Sequence, residues 1–128
     1  MSWKFIIKTG ELFDQTGKQV AVGYAGGNCG KNPEGINNPL MVTVHNIGPL
    51  PPGLYAFGQL FDPHHKVGKY AFELVPDAEN IMFGRSEFFC HGDTLTPRCA
   101  SEGCIIMPHD IRVLMYTSED RCIHVVAQ

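Results

Sequence analysis

The chain has 128 residues, 44% apolar and 18% charged, with a net charge of −3. That length fits one domain over 1–128 with its own core, and the composition is that of a soluble globular protein. The slight acidity excludes a nucleic-acid partner, whose footprint is basic, and no apolar run approaches the about 18 residues of a membrane span.

In chain order, alternating bulky residues (Trp3, Phe5, Ile7) predict a strand from Trp3 to Thr9. Glu11 to Asp14 and Lys18 to Tyr24 flank Gln15-Thr16-Gly17, a hairpin signal. Ala25 to Pro39 is rich in Gly and Asn and reads as a long loop, the kind that usually carries function. The β-branched content of Leu40 to His45 predicts a strand, whereas three prolines in Gly48 to Gly53 forbid regular structure. Leu54 to Leu60, Lys69 to Val75 and Phe88 to His91 read as strands. Asp110 to Thr117 reads as a helix, with Ile111, Leu114 and Met115 at i, i+3 and i+4. Pro108 suits its start, and Asp110 suits its positive end. Cys122 to Ala127 closes the chain as a strand. The expectation is a mostly-β domain with one short helix.

The chemistry lies between Cys90 and Ile106. Phe88 to His91 delivers a histidine into Gly92-Asp93, and a polar loop follows. Cys104, thirteen positions after His91, then sits between Gly103 and an apolar pair. A thiol needs a base to become a nucleophile at neutral pH, and imidazole is the usual one. Gly103 leaves room for a substrate carbonyl and frees backbone N–H groups for an oxyanion. The reading is therefore Cys104 as nucleophile, His91 as base and Gly103 in the oxyanion site. The second ring nitrogen of His91 needs an acceptor; Asp93 and backbone carbonyls are the two candidates. Ser101 either caps the turn at Cys104 or bonds substrate.

The order, histidine first and cysteine soon after, resembles the L,D-transpeptidases of bacterial cell-wall metabolism. The similarity is closest to the shorter branch delivered by type VI secretion as antibacterial effectors. It rests on Gly23-Tyr24-Ala25-Gly26, Asn32-Pro33, Gly48-Pro49-Leu50-Pro51-Pro52-Gly53-Leu54-Tyr55, Gly84-Arg85, His91-Gly92-Asp93 and Ser101-Glu102-Gly103-Cys104-Ile105. Two positions depart from the wider family. Glu102 stands where a second histidine usually precedes Gly-Cys, and Ile106 stands where Arg or Asn is common.

The resemblance implies an L,D-transpeptidase-like β-sandwich with its short helix after the cysteine. It implies attack on peptidoglycan stem tetrapeptides at the L-centre of meso-diaminopimelate, with release or exchange of the terminal D-alanine. No metal or organic cofactor is required. Tyr24 and Asn32 match the family pattern and would line the cleft. Arg85 would meet a substrate carboxylate with its planar fork, and Arg112 is a second anion-binding candidate. A cognate immunity protein and the secretion apparatus would be the protein partners. The segment Met1 to Lys8 is too short and too charged for a signal peptide. Made in the cytoplasm, the protein would reach the periplasm of target bacteria through the secretion machine.

Five cysteines allow another class of reading. Cys29, Cys90, Cys99 and Cys122 are either reduced thiols or up to two disulfides. A non-catalytic wall- or partner-binding β-domain would use such bridges. A zinc-stabilised module would draw on Cys90, His91, Cys99 and Cys104, but it lacks Cys-x2-Cys knuckles. The adjacent His64 and His65 read as an exposed turn.

Overall fold

Alternation along the chain becomes alternation across a sheet. The computed structural model describes residues 2–28, 30–61, 70–92 and 103–128. Its strands are β1 (Trp3–Ile6), β2 (Glu11–Phe13), β3 (Gln19–Val22), β4 (Tyr24–Ala25), β5 (Gly53–Phe61), β6 (Ala71–Pro76), β7 (Phe88–His91), β8 (Ile105–Ile106) and β9 (Cys122–Val126). One α-helix, α1 (His109–Thr117), follows Cys104 among the described residues. The domain is therefore mostly β with one short helix, as the sequence leads one to expect.

The strands form one sheet in the order β3-β2-β1-β9-β5-β6-β7-β8-β4. β1 with β9 and β7 with β8 are parallel; the other neighbours are antiparallel. The two edge strands, β3 and β4, are separated in the chain by Gly23 alone. The sheet must therefore curl until its edges nearly meet, giving a nearly closed, sandwich-like shell. Gly23 closes this seam. Its N–H donates to the Gly10 carbonyl at 2.8 Å. A Cβ on Gly23 would collide with the Ile106 carbonyl oxygen and the Met107 side chain.

The core fills the inside of the curl. Trp3, Phe5, Tyr55, Phe57, Phe72, Leu74, Phe88, Cys90, Ile105, Ile123 and Val125 are all buried there. In β1 and β9 alternate residues are buried, because successive side chains face opposite sides. α1 is tied to the sheet at its end: the Trp3 indole donates to Ser118 Oγ and to the Asp120 carbonyl, both at 3.1 Å.

The first hairpin forms as its turn signal predicts. Asp14 Oδ1 accepts from the backbone N–H of Thr16 and Lys18 and from the Thr16 hydroxyl. The helix begins one residue before the predicted position. Its buried side chains are Arg112 and Met115, while Leu114 is 50% exposed.

Leu40 to His45 is not a strand. Residues Pro39–Met41 form a 3-10 turn, and hydrogen-bonded turns continue to Gly48. Proline at the first position pre-sets the helical φ, and Asn38 Oδ1 accepts from the Leu40 N–H at 3.0 Å. This local capping outweighs the strand preference of Val42, Thr43 and Val44.

Candidate active site

The parallel pairing of β7 with β8 assembles the site. Cys90 lies opposite Ile105, and His91 lies opposite Ile106. Extending the register by one residue sets Cys104 beside Phe89. Paired residues share a face, and alternate residues along a strand return to it. His91, Phe89, Cys104 and Ile106 therefore share one face, while Cys90 and Ile105 point into the core. Strands lie about 4.8 Å apart and rise about 3.3 Å per residue, so the His91 and Cys104 Cα atoms are separated by roughly 8 Å. A histidine and a cysteine side chain facing the same way are long enough to approach each other across about that distance. β4 extends the row: Tyr24 pairs with Ile106, which puts Tyr24, Ile106 and His91 side by side on one face.

Both side chains are buried, His91 3% exposed and Cys104 8%. The Phe89 backbone N–H donates to Cys104 Sγ at 3.4 Å. A backbone N–H is thus directed at the sulfur. His91 Nδ1 lies 3.0 Å from the Gly92 carbonyl oxygen. A carbonyl only accepts, so in this contact Nδ1 carries the proton and the lone pair resides on Nε2. Among the described residues, the Gly92 backbone carbonyl is an acceptor for the ring. Asp93, the other candidate, and Ser101 lie outside the described residues.

Gly103 has φ +132°. A Cβ there would lie 2.7 Å from Arg85 Nη2 and 2.7 Å from Phe88 Cε1. Its carbonyl accepts from the Leu50 N–H at 3.0 Å. Because the peptide is planar and trans, the Cys104 N–H points the opposite way, off the Gly48–Leu50 segment.

Arg85 is 6% exposed and packs over the Phe88 ring, 5.1 Å from its centroid. Nη1 donates to the carbonyls of Val42 at 2.7 Å and Pro49 at 2.6 Å, and Nη2 donates to Gly48 at 2.9 Å. These bonds tie the 42–49 segment down beside Gly103. Burial pulls the guanidinium pKa below its ordinary value, and its interactions with Tyr55 and Cys104 work in the opposite direction.

Arg112 is 7% exposed and reaches β7 from the helix side. A Cβ on Gly92 would lie 2.8 Å from its Nη2, and its Nη1 donates to the Tyr70 carbonyl at 3.2 Å. It interacts electrostatically with Cys90, on the core side of the strand. Asn32 is engaged in its own loop: its Oδ1 accepts from Asn28 Nδ2 at 3.2 Å, and its N–H donates to the Gly27 carbonyl at 3.0 Å. The site residues that the structure gathers on one face are thus Cys104, His91 and Tyr24, with Gly103 and Arg85 adjoining.

Phe89, whose N–H meets Cys104 Sγ, is a neighbour of the candidate site that sequence reasoning missed. It contributes through its backbone N–H, which every non-proline residue has, so no sequence signal marks it.

Cys90, Cys104 and Cys122 form no disulfide with one another, and Cys90 is a free thiol in the core. Cys29 and Cys99 lie outside the described residues, as do His64 and His65. Among the described residues, no group of three His, Cys, Asp or Glu side chains is assembled for a metal ion. No described helix is long and apolar enough to cross a membrane.

A family model described as the Tlde1 domain matches residues 25–126. No curated protein and no solved structure matches the chain.

Proposed function

Since the chain belongs to the Tlde1 domain family, a type VI secretion effector domain, we propose that it is an antibacterial thiol enzyme acting on peptidoglycan. Its activity would be that of an L,D-carboxypeptidase or L,D-transpeptidase on stem tetrapeptides. The observation that carries this reading is the shared face of β7 and β8. There, a cysteine whose sulfur receives a backbone N–H stands one strand away from a histidine whose Nδ1 meets a carbonyl.

In this mechanism Nε2 of His91 takes the proton of Cys104. The thiolate attacks the carbonyl at the L-centre of meso-diaminopimelate. Backbone N–H groups about Gly103 and Cys104 hold the oxyanion, a type of contact whose removal costs other enzymes about 10²–10³ in kcat. The tetrahedral adduct collapses, His91 returns the proton to the leaving amine, and D-alanine departs. A thioester then joins Cys104 to the remaining tripeptide stem. Water resolves it in carboxypeptidase action; an amine resolves it in exchange or cross-linking. Both routes regenerate the thiol and need no metal or organic cofactor.

Trimming tetrapeptides would remove the donors of normal cross-linking, which suits a toxin. Delivery through the secretion apparatus would bring the enzyme to the periplasm of a target cell. A cognate immunity protein would protect the producer. The test is incubation with purified tetrapeptide muropeptides followed by mass spectrometry. Loss of one alanine residue identifies hydrolysis. Replacement of alanine by an added D-amino acid identifies exchange. Unchanged muropeptides under both conditions would refute the reading.

A further inference from the structure

Arg85 directs its side-chain donors at the protein's own backbone. Its fork spans three backbone carbonyls of the 42–49 segment. Carbonyl acceptors satisfy the guanidinium hydrogens without cancelling its charge. The same group abuts Gly103, the residue before the nucleophile, within 2.7 Å of where a Cβ would stand. Behind it, Phe88 packs edge-on against Tyr55, with ring centroids 6.5 Å apart. The Tyr55 hydroxyl donates to the Pro51 carbonyl at 2.6 Å. The Pro-rich turn, Gly103 and the guanidinium thus form one packed unit beneath Cys104.

We propose that Arg85 is a positioning residue of the Cys104 site: its guanidinium locks Gly103 against the 42–49 segment and supplies the fixed positive charge against which the Cys104 thiolate forms. The inference rests on the reading of Cys104 as the nucleophile. It assigns Arg85 a task different from holding a substrate carboxylate, because its donors are directed at the protein's own backbone.

The titratable and charged groups that the described residues set around Cys104 come from four elements. β4 supplies Tyr24, and β5 supplies Tyr55. β7 supplies His91 and, on its other face, Cys90; Arg112 on α1 stands behind Cys90. Burial raises the pKa of both Tyr55 and Cys90, so both stay neutral near pH 7. Among the described groups on the Cys104 side, Arg85 is the one whose charge is permanent. The attraction between Arg85 and a Cys104 thiolate opposes the loss of charge that burial favours.

The test is the pH dependence of Cys104 alkylation by iodoacetamide, read on the Cys104 peptide by mass spectrometry. It is measured in the wild type, Arg85→Gln and Arg85→Lys, with melting temperature recorded for each. A nearby opposite charge moves a pKa by about one unit or more. Arg85→Gln is therefore expected to raise the alkylation midpoint by about one unit. Arg85→Lys keeps the charge and loses the fork, so it should keep the wild-type midpoint while melting at a lower temperature. An unchanged midpoint in folded Arg85→Gln overturns the proposal. If Arg85→Gln does not fold, Arg85→Lys decides: a midpoint raised by a full unit with the charge still present overturns it. Because the readout is thiol chemistry, failure here is distinct from failure of the muropeptide assay, which would remove the enzymatic reading itself.

Discussion

Gly103 decides where Cys104 can stand. Its φ of +132° is a backbone state that L side chains rarely adopt, and its Cα faces Arg85 and Phe88 with no room for a methyl group. Backbone strain of this kind costs about 1–3 kcal/mol. Gly103→Ala is therefore expected to lower the melting temperature and to abolish muropeptide turnover, because relaxing the clash displaces Cys104, the proposed nucleophile. Full activity in a folded Gly103→Ala protein would show that the close approach is incidental. Cys90 makes a different kind of prediction. Burial raises its thiol pKa, and the Tyr55 hydroxyl is raised by the same cause. As pH climbs past the ordinary thiol value of about 8.5, the unfolded chain ionises Cys90 while the folded chain does not. The unfolded state then binds fewer protons, so stability falls with rising pH, by up to about 1.4 kcal/mol per unit for one group. Tyr55 adds its share above about pH 10. Denaturant unfolding measured against pH should show this decline, and Cys90→Ala should flatten the part between about pH 8.5 and 10. An equal slope in Cys90→Ala would exclude Cys90 as the source.

Among the elements, the short strands β4 and β8 matter most and were the hardest to foresee. They pair with each other and, through β7, bring Tyr24 into the row that holds His91. Gly23 lets β4 enter this arrangement. Gly23→Ala would drive a methyl group into the Ile106 carbonyl and Met107, an overpacking that costs about 1–3 kcal/mol. The expected outcome is a lower melting temperature together with reduced turnover, since β8 follows directly on Cys104. A protein that melts as the wild type does would mean that the seam is looser than the structure depicts. A strand of two residues has no period to read, so neither β4 nor β8 stood out from its sequence. β7, by contrast, was legible to the residue, because Phe88 to His91 is bounded by polar and Gly-containing stretches. The hairpin about Asp14 was legible because its turn chemistry is local. Leu40 to His45 misled because β-branched residues suggest a strand, whereas Asn38 and Pro39 start a 3-10 turn that closes within a few residues. Cys104 and His91, which share the β7–β8 face, were visible as a motif. The acceptors of Arg85 were not, since carbonyls of residues 42–49 are identified only once the chain has folded back on itself.

At the scale of the whole molecule, the Tlde1 match over residues 25–126 covers most of the sheet, from the second residue of β4 through β9. The proposed activity on peptidoglycan puts the expected target in the periplasm. Expression in a Gram-negative host should therefore arrest growth when the chain carries an added secretory signal, and leave growth unaffected without it. Equal growth in both cases, with export verified, would contradict a periplasmic target. The central claim is narrower: one sulfur atom performs the chemistry. Purified wild-type protein and Cys104→Ala, each verified as folded, are incubated with the same tetrapeptide muropeptide, and the products are weighed by mass spectrometry. The account predicts loss of the terminal alanine with the wild type and no product with Cys104→Ala. Turnover by Cys104→Ala at a rate near that of the wild type would contradict it.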